Sequence, residues 1–83
     1  MDDSEREWRM SLEVGKTIDV LKYDISNKQQ MWTRGDIVAV TGDISDISKK
    51  MLTVAYLLDL TLSETRYPAD SAMIAPDGTK SIA

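Results

Sequence analysis

The chain has 83 residues, 42% of them hydrophobic and 29% charged, which is typical of one small globular domain and argues against a disordered tail. It contains no histidine and no cysteine, so it lacks the commonest general base, the commonest metal ligand and any disulfide or thiolate site. The formal net charge of −4 favours a basic partner over a phosphate backbone, and we predict a non-catalytic domain without a cofactor.

The N-terminal segment predicts one short helical turn. Ser4 and Glu7 have the S-x-x-E spacing of a helix capping box, and Glu5 and Arg9 have the spacing of a helical ion pair. The segment is too short to be a stable helix alone. We therefore expect a single turn that anchors Trp8 against the rest of the domain.

The following segments predict strands. Residues 17–23 are rich in β-favouring types and place Ile18 and Val20 on one face. After a polar loop, residues 32–41 predict a second strand with Ile37 and Ala39 on one face and Val38 and Val40 on the other. Apolar side chains on both faces are typical of a small barrel. Gly35 in the middle of that strand predicts a bulge or a close approach between backbones.

A third strand is predicted over residues 51–58, with Leu52, Val54 and Tyr56 on one face. The alternative is an amphipathic helix over residues 51–62, against which the β-branched and aromatic residues argue. Three Asp-Ile-Ser triplets also occur in the chain, but their irregular spacing does not indicate a repeat.

The C-terminal third predicts shorter elements. Residues 59–63 predict a connection whose Leu60 and Leu62 contact the core, followed by a brief fourth strand at residues 64–67. Residues 70–73 predict one helical turn and residues 74–75 a final pairing strand. We also expect a solvated turn at Lys49-Lys50. The core-filling methionines are expected to be Met31, Met51 and Met73.

Short motifs follow one another in a fixed order along residues 8–79. They are Val14-Gly15-Lys16-Thr17-Ile18-Asp19-Val20, Trp32-Thr33-Arg34-Gly35-Asp36-Ile37, Val54-Ala55-Tyr56, Ser63-Glu64-Thr65 and Asp70-Ser71-Ala72-Met73-Ile74-Ala75-Pro76-Asp77-Gly78-Thr79. Together they resemble Tudor, chromo-barrel and Tudor-knot domains of the SH3-like barrel superfamily. The resemblance implies a mainly β fold: a small five-stranded SH3-like barrel with a short N-terminal helical turn and a late 3-10 turn. The barrel would span residues 12–76, between an extension at 1–11 that carries Trp8 and a flexible tail at 77–83.

The resemblance also implies a binding site. In that family, two to four aromatic side chains at one end of the barrel form a cage around a methylated ammonium group. The matching positions here are Tyr23, Trp32, Tyr56, Glu64 and Tyr67. Thr65 stands where caging members carry an aromatic residue, and Tyr67 lies two residues further on. The implied function is a module that binds a protein or peptide, such as a histone tail with a methylated lysine, through an incomplete cage.

The sequence predicts neither a membrane span nor a targeting peptide. No stretch approaches the roughly 20 apolar residues that span a bilayer, and the acidic N-terminus is unlike a signal or transit peptide. We expect an intracellular monomer without a membrane partner, and the resemblance implies the nucleus ahead of the cytoplasm. Two alternatives stay open. One is an accessory domain of a larger enzyme, such as a ubiquitin hydrolase or acetyltransferase, without its own ligand; the other is a weak nucleic-acid binder.

Overall fold

The computed structural model describes residues 1–58 and 60–80. In chain order the elements are α1 (Asp3–Ser11), β1 (Thr17–Asp24), β2 (Gln29–Thr41), β3 (Met51–Leu58), β4 (Thr61–Pro68) and β5 (Ile74–Pro76). The strands form one antiparallel sheet in the order β4-β3-β2-β1-β5. The mainly β prediction is confirmed, and the alternative helix over residues 51–62 is wrong. Within the described residues no ladder joins β4 to β5, so the sheet is open.

Helix α1 spans nine residues and not the single turn that was predicted. Its N-cap is Asp2, whose Oδ1 accepts a hydrogen bond of 2.7 Å from the backbone N–H of Glu5. The capping box predicted at Ser4 is therefore wrong, because two aspartates just before it are equally good capping types. The predicted ion pair between Glu5 and Arg9 is confirmed, with 2.9 Å between Oε1 and the guanidinium.

Strand β2 begins three residues earlier than predicted and contains a β-bulge. Its register pairs Ile37 and Ala39 with consecutive residues of β3, so Val38 is the extra residue. The bulge reverses the alternation of side chains, and Val40 packs against the core in place of Ala39. The predicted grouping of Ala39 with Ile37 on one face is wrong for this reason.

Gly35 lies at the centre of the sheet, opposite Ile18 in β1 and Tyr56 in β3. A Cβ atom at this position would lie 2.6 Å from Val54 Cγ1 and 3.1 Å from the carbonyl oxygen of Ala55. These distances leave no room for a side chain, so the predicted close approach is confirmed.

The hydrophobic core lies on one face of the sheet, which we call the inner face. Ile18 and Val20 of β1 are buried there, as predicted, together with Leu52, Val54 and Tyr56 of β3. Directly opposed residues of antiparallel strands share a face, so the register carries this face across all five strands. The other face is called the outer face below.

Several predicted core contacts are wrong. Leu60 is 92% exposed and Leu62 74% exposed. The reason is that β4 begins at Thr61, so Leu62 falls on the outer face and Leu60 in the hairpin turn. Met31 and Met73 are also exposed and do not fill the core. Asp59, at the start of the predicted connection, lies outside the described residues.

The three Asp-Ile-Ser triplets form the same local turn. In each, the aspartate Oδ1 accepts the backbone N–H of the serine two residues later, at 2.9 to 3.0 Å. The donors are Ser26, Ser45 and Ser48. The similarity is therefore one of turn chemistry and does not indicate a structural repeat.

The C-terminal residues return to the sheet. Strand β5 pairs with Ile18 to Val20 of β1, which confirms the final strand. The predicted 3-10 turn is wrong, because residues 69–70 and 72–73 form ordinary turns. Beyond β5, the backbone N–H of Lys80 donates to Oδ2 of the buried Asp19, and Asp77 pairs with Arg34 at 2.9 Å. Of the predicted tail, residues 81–83 lie outside the described part.

Candidate aromatic binding site

On the inner face, two of the five candidate aromatic-cage residues meet a lysine of the same chain. The Nζ of Lys22 lies 4.7 Å from the ring centroid of Tyr56 and 5.8 Å from that of Tyr67. It donates hydrogen bonds to the Tyr67 hydroxyl at 3.3 Å and to Thr65 Oγ1 at 3.2 Å. The hydroxyls of Tyr56 and Thr65 are 2.8 Å apart and share a hydrogen bond. We call these four residues the Lys22 cluster.

The Lys22 cluster requires a strongly curled sheet. Lys22 is in β1 and Thr65 in β4, three positions away in strand order. In a flat sheet three spacings place these strands about 14 Å apart, which is further than a lysine and a threonine side chain reach together. Their 3.2 Å hydrogen bond shows that the inner faces of β1 and β4 turn toward each other.

The cluster alters the acidity of its members. Burial alone lowers the pKa of Lys22, but hydrogen bonding with Tyr56 and Tyr67 and their electrostatic attraction outweigh it, so its pKa is raised above 10.5. Burial alone raises the pKa of Tyr56, but hydrogen bonds with Lys22 and Thr65 and the lysine charge outweigh it, so its pKa is lowered from 10.0. Both shifts favour an ammonium beside a phenolate.

The other three candidate residues lie on the outer face. Tyr23 pairs with Gln30 and is 55% exposed. Trp32 is opposite Leu21, and Glu64 is opposite Ala55, both on the outer face. The structure therefore brings Tyr56 and Tyr67 together and separates them from the remaining three.

Trp32 instead lines a groove between α1 and the β5 end of the sheet. The groove has a volume of about 750 Å³ and an open mouth. Trp8 of α1 also lines it, with Ile74 and Pro76 of β5 as apolar neighbours. We call it the tryptophan groove. It contains both tryptophans of the chain, which no sequence spacing brings together.

Carboxylates border the tryptophan groove. Asp2, Glu5 and Asp70 line it, and so do the cations Arg9 and Lys80. Arg9 is only 4% exposed, and its guanidinium is engaged by Glu5. Within the described residues, the Asp70 carboxylate makes no hydrogen bond or ion pair, so its charge is available to a ligand.

Two buried cations fasten α1 to the sheet and so shape the groove. The Arg9 guanidinium donates to the backbone carbonyls of Ala69 and Ser71, both at 2.7 Å. Lys50, 2% exposed, donates to the carbonyls of Arg9 and Met10 at 3.3 and 2.9 Å, where the helix dipole favours a cation. The solvated turn predicted at Lys49-Lys50 is therefore wrong for Lys50. Burial lowers its pKa, partly opposed by Glu13.

Sequence reasoning missed Lys22, Arg9 and Lys50 as site residues. The position of Lys22 could have been predicted, because alternate residues of a strand share a face and Lys22 follows Ile18 and Val20 at that spacing. The pair Lys49-Lys50 offers no such signal, since two adjacent lysines are ordinarily solvent-exposed.

Comparisons with known proteins identify no relative of this chain. No family model matches it, and no curated protein or solved structure matches it either. Among residues 1–58 and 60–80, no group of three or more acidic side chains is arranged to hold a metal ion. No helix in the described part has the length and apolar character that crossing a membrane requires.

Proposed function

We propose that this chain is a non-catalytic interaction module of the SH3-like, Tudor or chromo-barrel type that binds a lysine-containing peptide in the tryptophan groove. The strand order supports this fold type, because consecutive hairpins form β1 to β4 and the short β5 returns to β1. The curl that brings β1 against β4 supports it as well. The lack of histidine and cysteine supports a non-catalytic role.

The observation that carries the proposal is the difference between the two aromatic sites. The ammonium of Lys22 already lies over the rings of Tyr56 and Tyr67, so a ligand cation would have to displace it. The tryptophan groove is open. The Arg9 guanidinium carbon lies 5.4 Å from the Trp8 ring centroid, but among the described residues no cation lies over the ring of Trp32, which lines the groove together with the available carboxylate of Asp70. It is therefore the aromatic surface at which a partner binds.

The groove chemistry suits a methylated lysine. Indole faces attract cations more strongly than other aromatic rings, and methylation makes an ammonium less hydrated, so it enters an aromatic site at lower cost. The net charge of −4 favours a basic peptide such as a histone tail. The methyl preference and the nuclear location rest on the resemblance in sequence.

A peptide titration followed by NMR tests this proposal. The probes are a lysine-rich peptide and the same peptide with one trimethyl-lysine, added to ¹⁵N-labelled protein. The indole N–H signals of Trp8 and Trp32 should shift, and the trimethylated peptide should bind several-fold more tightly. Asp70→Asn should weaken binding, whereas the matched outer-face control Tyr23→Ala, which lies outside the groove, should leave it unchanged.

Two results would contradict the proposal. One is the absence of any indole shift at millimolar peptide. The other is binding that shifts Tyr56 and Tyr67 but not the indoles, because that result would move the site to the Lys22 cluster. Trp32→Leu should abolish the shifts, provided that its amide spectrum shows an intact fold.

A further inference from the structure

The two edges of the sheet differ in how they are protected. Strand β5 has three residues and ends in Pro76, and short strands and proline both block further pairing. Strand β4 has eight residues and carries its proline only at the last position, Pro68. Among the described residues, positions 61–67 make no backbone hydrogen bond beyond their ladder with β3. The β4 edge is therefore open to another strand.

The exposed side chains along β4 have a self-complementary order. Leu62, Glu64 and Arg66 alternate along the outer face, and all three are exposed. When a twofold axis passes midway between an acidic and a basic residue two positions apart, the acidic residue of each copy lies opposite the basic residue of the other copy. Thr65 occupies that central position.

We propose that two copies of this chain pair through β4 in an antiparallel ladder centred on Thr65, forming one continuous ten-stranded sheet. In this register Glu64 of each copy is directly opposite Arg66 of the other, which forms two cross-strand ion pairs. The exposed Leu62 is opposite Pro68 of the second copy. One surface serves both partners, as an isologous twofold interface requires.

Charge selects this register over its neighbours. The outer faces of the two copies stay on the same side of the joined sheet only when the twofold axis is centred on a residue of β4. Alternative registers therefore move the axis by whole residues. Centring it on Glu64 places two carboxylates opposite each other, and centring it on Arg66 places two guanidinium groups opposite each other. Like charges directly opposed in a ladder are destabilising. The register centred on Thr65 is free of both clashes.

The inferred dimer is weak and depends on concentration. A single edge strand buries less than the roughly 1,200 Å² typical of stable complexes, so dissociation is expected near the millimolar range. The monomer predicted from the sequence is then the form at low concentration. Added salt should weaken the dimer, because its ion pairs are exposed.

Sedimentation velocity over a concentration series tests the pairing with charge-swap variants. The wild type should form a dimer as concentration rises, and Glu64→Arg or Arg66→Glu alone should weaken it about tenfold or more. The double variant Glu64→Arg with Arg66→Glu should restore it, because the new arginine at position 64 again faces a glutamate at position 66. Glu7→Arg and Arg6→Glu, on the exposed surface of α1, are controls with matched changes in net charge and should dimerise like the wild type.

The inference is overturned by a wild type that stays monomeric to about 1 mM. It is also overturned by a dimer that both single swaps leave intact. Amide NMR signals should shift on dilution at residues 61–67, and shifts confined to the tryptophan groove or to β5 would place the interface elsewhere. Peptide binding is proposed at the tryptophan groove and dimerisation at the β4 edge. A negative result for one proposal therefore does not contradict the other.

Discussion

Lys22 holds its ammonium group between two tyrosine rings of its own chain, and this contact links one lysine charge to the acidity of one phenol. The pKa of Tyr56 is lowered mainly because Lys22 is near, against the upward effect of burial. Removing the lysine leaves burial as the dominant influence. Single side chains can therefore be used to test the cluster.

Lys22→Met should raise the pKa of Tyr56 above its wild-type value. The measurement is a pH titration of the ¹³Cζ NMR signals of the tyrosines. Lys16→Met, at an exposed position just before β1, is the matched control and should leave the titration unchanged. An unaltered Tyr56 midpoint in Lys22→Met would show that the lysine does not govern this phenol.

The same variant predicts a pH dependence of stability. Because the pKa of folded Tyr56 is lowered from 10.0, the unfolded state holds more protons just below pH 10, and stability from this group increases as pH rises through that window. Because the pKa of folded Lys22 is raised, its contribution is present below pH 10.5 and is lost as pH rises through the folded pKa. The stability advantage of wild type over Lys22→Met should therefore increase toward pH 10 and fall above 10.5. Urea unfolding across this range measures it, and a constant difference would contradict the coupling.

At the scale of elements, β2 is the strand on which the sheet depends, since it pairs with both β1 and β3 at Gly35. Gly35→Ala should destabilise the fold by about 1–3 kcal/mol, because its Cβ meets Val54 Cγ1. Val54→Ala removes the clashing atom, so the double variant should be more stable than the sum of the single changes predicts. Urea unfolding of the four proteins gives the coupling energy, and strict additivity would exclude the clash as the cause.

The predictability of each element follows from its local pattern. Strand β3 was predicted with its observed bounds because Leu52, Val54 and Tyr56 alternate without interruption. In β2, apolar residues on both faces concealed the bulge at Val38, since either face satisfies the pattern. The start of β4 was missed because Leu62 is apolar and was therefore predicted to contact the core. The tight hairpin after β3 determines which face Leu62 occupies, and it places Leu62 on the outer face.

At the scale of the whole molecule, α1 is attached to the sheet through charged side chains. Arg9→Met should cost about 3 kcal/mol, because the buried carbonyl of Ala69 and the partly buried carbonyl of Ser71 lose a charged donor. Arg6→Met, exposed on the same helix, should change stability by less than about 0.5 kcal/mol. Urea unfolding with tryptophan fluorescence measures both. Equal effects of the two variants would show that Arg9 does not hold the helix.

The candidate site was less predictable than the fold because it depends on global geometry. Alternation along β3 and β4 places Tyr56 and Tyr67 on the same face of the sheet, but their contact with Lys22 needs the curl that brings β1 against β4. Likewise, Trp8 and Trp32 share a groove only because α1 docks beside β5. No local pattern specifies either arrangement.

The fastening of α1 has a consequence for the order in which the chain acquires structure. The carbonyls that hold Arg9 belong to residues 60 and 62 positions later, and Lys50 lies about 40 positions beyond the helix end it caps. During synthesis α1 leaves the ribosome before the strands, yet its docking site is incomplete until the turn after β4 has emerged. An isolated helix of nine residues is barely stable in water. Helix α1 is therefore synthesised before the residues that hold it, and the tryptophan groove forms only once α1 has docked.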